Sequence, residues 1–288
     1  MPSCHNIKSP CTLICPARSG SSLVQNIFEQ HPRCHAVGET GHILFYTWFG
    51  LTESEKIVVR SPDQLTHQGY RLRGGEAARE LLLSFFASDK EFWMQKPIGT
   101  PEVHWYFSAT KKEANFGDWY WSGLEYLFPE GRFFTLLRDP CDLVISNMAY
   151  FKSTELQAWQ SIERVYDLLL HERSLVNHAT LYQDLVERPE EEVRRMCGYL
   201  GIEFDRACLK AFEYLYVQTP PEAGKPWSYR YAQPPEHEKK TMRFSRRDSW
   251  HRLQMLDLGR TVIAKAAKLW EKFGFELANR DRLTISHK

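Results

Sequence analysis

Apolar positions along the chain follow two rhythms. Short, largely apolar runs at residues 12–15, 92–96, 133–137 and 179–183 have the length of strands buried on both faces. Between them apolar residues recur at helical spacing: Leu23, Val24, Ile27 and Phe28 after the first run, and Leu143, Val144 and Met148 after the third. Further helices are predicted over 75–87, over the aromatic segment 119–127, over 156–176, and over 190–200, where Gly201 closes the last. A final helix is predicted to open at Asp248 or Ser249 and to run to about residue 273. Strands that alternate with helices predict an α/β fold, with a parallel sheet covered on both faces. There is no internal repeat and no low-complexity tract. Residues 219–240 hold five prolines and many charges and read as a long loop, so a single domain over 1–288 is expected.

Composition changes this picture only in places. A chain that is 43% hydrophobic and 25% charged is an ordinary soluble globule, and a net charge of +1 gives no field to draw nucleic acid or an anionic membrane. No apolar stretch is long enough to span a bilayer, and residues 1–10 are polar, so a cytoplasmic protein is expected. The seven cysteines (Cys4, Cys11, Cys15, Cys34, Cys141, Cys197 and Cys208) match no paired C-x-x-C metal pattern. Reduced thiols and no metal are expected. Aromatic residues make up 14% of the chain, enough for aromatic pocket walls as well as an aromatic core.

Two turns carry the candidate chemistry. The first strand run ends in Pro16-Ala17-Arg18-Ser19-Gly20-Ser21-Ser22, just before a helix. Backbone N–H groups at such a turn, with the positive end of the helix dipole, make an anion site. Gly20 lets the backbone approach an oxygen closely, and Arg18 adds a cation that holds two phosphate oxygens at once. Ser21 and Ser22 add hydroxyls, and one of them is expected to cap the helix. A flexible surface turn would use the same small residues. No lysine follows the glycine, which disfavours a Walker-type ATP or GTP site. The second turn, Arg138-Asp139-Pro140, opens a helix on which Ser146 lies about two turns along. If that turn reverses the chain, the guanidinium and the hydroxyl converge on one phosphate. Asp139 suits a local side-chain-to-backbone bond that holds the turn.

These residues resemble a known family. Arg138-Asp139-Pro140-Cys141-Asp142-Leu143-Val144-Ile145-Ser146 resembles the 3′-phosphate motif of sulfotransferases that use 3′-phosphoadenosine-5′-phosphosulfate (PAPS). Arg18-Ser19-Gly20-Ser21-Ser22 resembles their 5′-phosphosulfate loop. Tyr182-Gln183-Asp184-Leu185 is similar to the family's Tyr-Glu-Asp-Leu strand end, whose tyrosine lies near the adenine. Pro189, Leu200-Gly201 and Phe204 fit the helix and turn that follow. Arg243 to Trp250 resembles the C-terminal segment that closes on the 3′-phosphate, with Arg243, Ser245 and Arg246 as the contacts implied. There are departures. Ala17 separates Pro16 from the basic residue, Gln183 replaces a glutamate, and Leu23 stands where cytosolic animal members carry an adenine-facing tryptophan.

The resemblance implies a P-loop-like parallel sheet flanked by helices, with PAPS as co-substrate and no metal. It implies sulfonate transfer to a hydroxyl, or to an amine or guanidinium nitrogen, of a small-molecule acceptor. Charge then grows on the oxygen that leaves with the 5′-phosphate, so positioning and electrostatics carry the catalysis, and Arg18 is the candidate stabiliser. Glu39, on a short loop expected after the first helix, is placed like the general base of several branches, with His42 as the alternative. Lys96, before Pro97, resembles a strand-end lysine that reaches the transferring sulfonate. An exposed loop carboxylate and a solvated lysine are the plain readings of the same two residues. A cationic alkaloid or a sugar would suit an acidic site with aromatic walls, and the size resembles bacterial secondary-metabolite sulfotransferases. Residues 219–248 are expected to form a mobile lid, drawn over the acceptor as the arginine segment orders on the 3′-phosphate. Two other readings compete. A P-loop kinase-like phosphotransferase would need a Walker lysine and a magnesium-holding carboxylate. A non-catalytic nucleotide-binding module would not need Arg18, Glu39 and Lys96 together.

Overall fold

The computed structural model describes residues 10–58, 67–85, 89–97, 116–213, 215–219, 228–232, 253 and 256–276. Strands β1 (Cys11–Leu13), β2 (Cys34–Gly38), β3 (Phe92–Gln95), β4 (Arg132–Leu137) and β5 (His178–Leu181) form one five-stranded sheet in the order β2-β3-β1-β4-β5. Every pairing is parallel, so all five strands end at the same edge. The side chains of the three inner strands, β3, β1 and β4, are buried on both faces apart from Arg132, as continuous apolar runs require.

The register assigns side chains to faces. Thr12 lies opposite Gln95 and Phe133, and Thr135 opposite Ala179. On that face Trp93, Phe133 and Leu137 meet α2 (Gly41–Val58), α4 (Phe116–Leu127), α5 (Pro140–Phe151), α6 (Glu155–Leu170) and α9 (Asp257–Lys272). On the other face Leu13, Met94, Phe134 and Leu136 meet α1 (Ser21–Glu29), α8 (Pro189–Leu200) and a 3₁₀ helix (Arg206–Phe212). Helix α3 (His67–Phe85) packs outside, on α2 and α4. Adjacent strands β1 and β4 thus send their following helices, α1 and α5, to opposite faces. That divergence opens a crevice at the C-terminal edge of the sheet, where α/β folds of this kind bind ligands.

Local signals account for the elements that border the crevice. Pro140 occupies the first turn of α5, and the Asp139 carboxylate accepts hydrogen bonds from the Cys141 and Asp142 N–H groups, so the expected local bond is present. Thr154 and Gln157 form a reciprocal capping box at the start of α6. Gly201, at φ 67, ends α8.

Several expectations are corrected. Neither Ser21 nor Ser22 caps α1: the cap residue is Gly20, without a side-chain bond. Strand β2 and helix α2 arise where neither was predicted, because β2 is a half-exposed edge strand and the start of α2 is apolar on nearly every side. The long helix predicted over 156–176 stops at Leu170. Side chains from its neighbours bind its last carbonyls, Trp121 Nε1 donating to Leu168 O and Lys272 Nζ to Leu169 O. The run 179–183 is a strand only to Leu181. At Tyr182 the chain turns into α7 (Tyr182–Glu187), whose Leu185 is fully buried. Within 219–240, Ser228–Ala232 is a strand, β7, paired antiparallel with β6 (Leu215–Thr219), so this stretch is not all loop. The last described helix begins at Asp257, and the opening expected at Asp248 or Ser249 lies outside the described residues.

Candidate functional site

The C-terminal ends of all five strands converge on one patch of candidate residues. After β1, the loop turns through Arg18 (φ 69) and Gly20 (φ 108) into α1. Ser19 and Ser21 are buried beneath it, and Ser22 lies in the first helical turn. The first N–H groups of α1 have no acceptor within the helix, and they sit at its positive end. Burial pushes the Cys15 thiol up in pKa, against smaller opposing effects of Ser19, Lys96 and Ser21, and keeps it a neutral thiol under the loop.

Across the crevice, Arg138 follows β4 and Ser146 follows on α5. Arg138 Nη1 donates to the Arg18 carbonyl at 2.9 Å, and Arg18 Nε donates to Ser146 Oγ at 3.4 Å. The two anion sites read separately from the sequence are therefore in contact. Tyr182, at the end of β5, lies under the Arg138 guanidinium with 4.6 Å from Cζ to the ring centroid. The same ring packs so closely on Gly20 that a Cβ there would stand 2.5 Å from Tyr182 Cδ2. Arg138 Nε is buried with no hydrogen-bond partner among the described residues. An arginine donor held in reserve, a glycine cradle and the positive end of a helix together fit an anionic phosphate group.

On the other side of β1, Glu39 follows β2, not the first helix as expected. Gly38 makes the turn at φ 75, and its carbonyl accepts from the Lys96 N–H at 2.9 Å. Lys96, at the end of β3, is buried and its Nζ lies 3.2 Å from Glu39 Oε1. Lys96 is thus not a solvated lysine. His42 is exposed on the first turn of α2 and stacks on Tyr46 with ring centroids 6.4 Å apart. Arg243, Ser245 and Arg246, and most of the expected lid at 219–248, lie outside the described residues.

Two sets of residues near the site escaped sequence reasoning. One is a buried polar chain beneath Glu39: Thr40 Oγ1 donates to Gln95 Oε1, and Gln95 Nε2 donates to Thr12 Oγ1, each at 2.9 Å. It ties the β2–α2 turn to β3 and β1. The available signal was the glutamine at the end of an apolar strand run. Gln95→Leu is expected to strand the Thr40 hydroxyl and to cost about 1–3 kcal/mol for each buried group left unpaired. Urea unfolding measures it, and unchanged stability would mean that the chain holds nothing. The other missed residue is Tyr150, whose ring lies 4.0 Å from Arg18 Cζ. The signal was its position one helical turn beyond Ser146.

Residues 10–206 match the model of the Sulfotransferase family. The chain belongs to this family. It is a sulfotransferase enzyme, which sets aside the kinase-like and the non-catalytic readings. Two solved structures share the fold of this sulfotransferase. The sulfotransferase domain of the Synechococcus PCC 7002 olefin synthase is 17% identical, with a TM-score of 0.54 over 94% of this chain and 97% of its own. The sulfotransferase domain of the curacin biosynthetic pathway is 14% identical, with a TM-score of 0.56 over 94% and 99%. No curated protein matches the chain in sequence. Among the described residues no helix of this sulfotransferase is long and apolar enough to cross a membrane. None of its described His, Cys, Asp and Glu residues form a group of three or more that could hold a metal ion.

Proposed function

We propose that this enzyme moves the sulfonate of PAPS to a hydroxyl, or to an amine or guanidinium nitrogen, of a small-molecule acceptor, and releases 3′-phosphoadenosine-5′-phosphate (PAP). The observation that carries this reading is the contact of Arg18, Arg138 and Ser146 in the crevice between β1 and β4. A donor with phosphates at both ends of its ribose suits two cations and a hydroxyl set side by side. Plain membership of a transferase family would not call for that arrangement.

In the reaction the acceptor atom attacks sulfur while the bond from sulfur to the 5′-phosphate oxygen breaks. The acceptor proton goes to Glu39, and the electron pair of the broken bond stays on the leaving oxygen. Arg18 and the N–H groups at the start of α1 face that charge, and Lys96 stands beside Glu39 on the acceptor side. Arg138, with Ser146, holds the 3′-phosphate, and Tyr182 lines the adenine end. Since the two solved neighbours come from biosynthetic enzymes, a small biosynthetic acceptor is the natural class to screen, cationic alkaloids and sugars first.

Calorimetry tests the donor. PAP should bind more tightly than 5′-AMP, which lacks the 3′-phosphate. Arg138→Ala should weaken PAP by about one to two decades, since a charge-assisted contact contributes roughly 1.5–3 kcal/mol. Equal affinity for PAP and 5′-AMP in the wild type would refute the assignment.

A further inference from the structure

Arg18 is held from three directions. Its backbone is left-handed at φ 69, a conformation that residues other than glycine rarely adopt. Its carbonyl accepts from Arg138 Nη1, and its Nε donates to Ser146 Oγ. The third hold is the Tyr150 ring, 4.0 Å from Cζ. Ser146 and Tyr150 stand one turn apart on the same face of α5, so the helix presents a hydroxyl and a ring side by side to one guanidinium. Phe151 sets its edge against that ring, with centroids 4.8 Å apart and planes at 86°. The contact falls in the last turns of α5, where the negative end of the helix dipole favours a cation.

We infer that Tyr150 is a positioning residue: its ring holds the Arg18 guanidinium, by cation–π contact, where it meets a phosphate of the nucleotide. This rests on the reading of Arg18 as a phosphate ligand. A long arginine side chain left free would have to be ordered when the nucleotide binds, and the ring lowers that cost in advance. The Tyr150 side is 42% exposed, so the ring can be changed without opening the core.

The probe is PAP, titrated calorimetrically into the wild type, Tyr150→Leu, Tyr150→Phe, Arg18→Ala and the Arg18→Ala/Tyr150→Leu pair. Tyr150→Leu should weaken PAP about two- to fivefold, the range of an exposed cation–π contact. Tyr150→Phe, which keeps the ring, should restore the affinity to within about twofold of wild type. In the Arg18→Ala background Tyr150→Leu should have no further effect on PAP, because the guanidinium through which the ring acts is gone. A ring that merely supported the fold would weaken binding equally in both backgrounds, and that result overturns the proposal. So does wild-type affinity in Tyr150→Leu. If Arg18→Ala itself binds PAP like the wild type, the reading of Arg18 as a phosphate ligand fails, and the role of Tyr150 fails with it.

Discussion

Glu39→Gln is expected to slow sulfonate transfer by about 10²–10⁴-fold, the usual contribution of a positioned general base. Glutamine keeps the shape of the side chain and removes both its charge and its basicity. Glu39 is placed for the role by three local features: the turn at Gly38, the Thr40–Gln95–Thr12 chain below, and the Lys96 ammonium 3.2 Å from its Oε1. The ion pair fixes where the carboxylate stands, so the acceptor proton has a defined position to go to. Glutamine still offers its Oε1 to the buried Lys96 ammonium, so that cation keeps a hydrogen-bond acceptor and the variant is expected to fold. PAP affinity should stay near wild type, since the residue lies on the acceptor side. PAP release, with sulfonated product followed by mass, gives the rate. A wild-type rate in this variant would remove Glu39 from the chemistry and point to His42, one turn on, with His42→Ala as the next measurement.

The parts of this site that were legible in the sequence are those whose chemistry is local. Arg138-Asp139-Pro140 announces a strand end and a capped helix within three residues, and Gly20 marks a tight approach. Their roles at the turn needed no tertiary information. The contact between Arg18 and Ser146 is different. It depends on β1 and β4 being neighbours although 128 residues separate the two side chains, and only the sheet order provides that. Gln95 was hidden for a related reason, since a polar residue in an apolar run gains meaning only when its partners on β1 and the β2–α2 turn are known. Strand β2 and helix α2 lacked a clear period. The first is half-exposed at the sheet edge, and the second begins with Ile43, Leu44, Phe45 and Trp48, where apolar residues leave little contrast between faces. The serine caps failed because the turn must cross positive φ immediately before the helix. A glycine at the cap position meets that need, and a serine there would not.

Gly20→Ala is expected to disable the proposed phosphate loop, weakening PAP at least about tenfold and lowering stability by roughly 2–6 kcal/mol. Two costs combine. At φ 108 an alanine occupies backbone space that L-residues avoid, which costs about 1–3 kcal/mol. Its Cβ would also stand 2.5 Å and 2.6 Å from Tyr182 Cδ2 and Cε2, and 3.2 Å from Leu136 Cδ2, an overpacking worth about 1–3 kcal/mol. The clash has two ways to relax, and both damage the site. If Tyr182 moves, Arg138 loses the ring beneath its guanidinium, and with it the register of its bond to the Arg18 carbonyl. If the loop moves instead, the N–H groups at the start of α1 turn away from the crevice. Gly198→Ala supplies the control, because a Cβ there meets nothing within 4 Å and the exposed helical position should gain about 0.5–1 kcal/mol. Urea unfolding and PAP calorimetry on both variants decide the matter. If Gly20→Ala matched the wild type in both measurements, the loop would be an ordinary surface turn, and the phosphate site would have to lie elsewhere on the sheet edge.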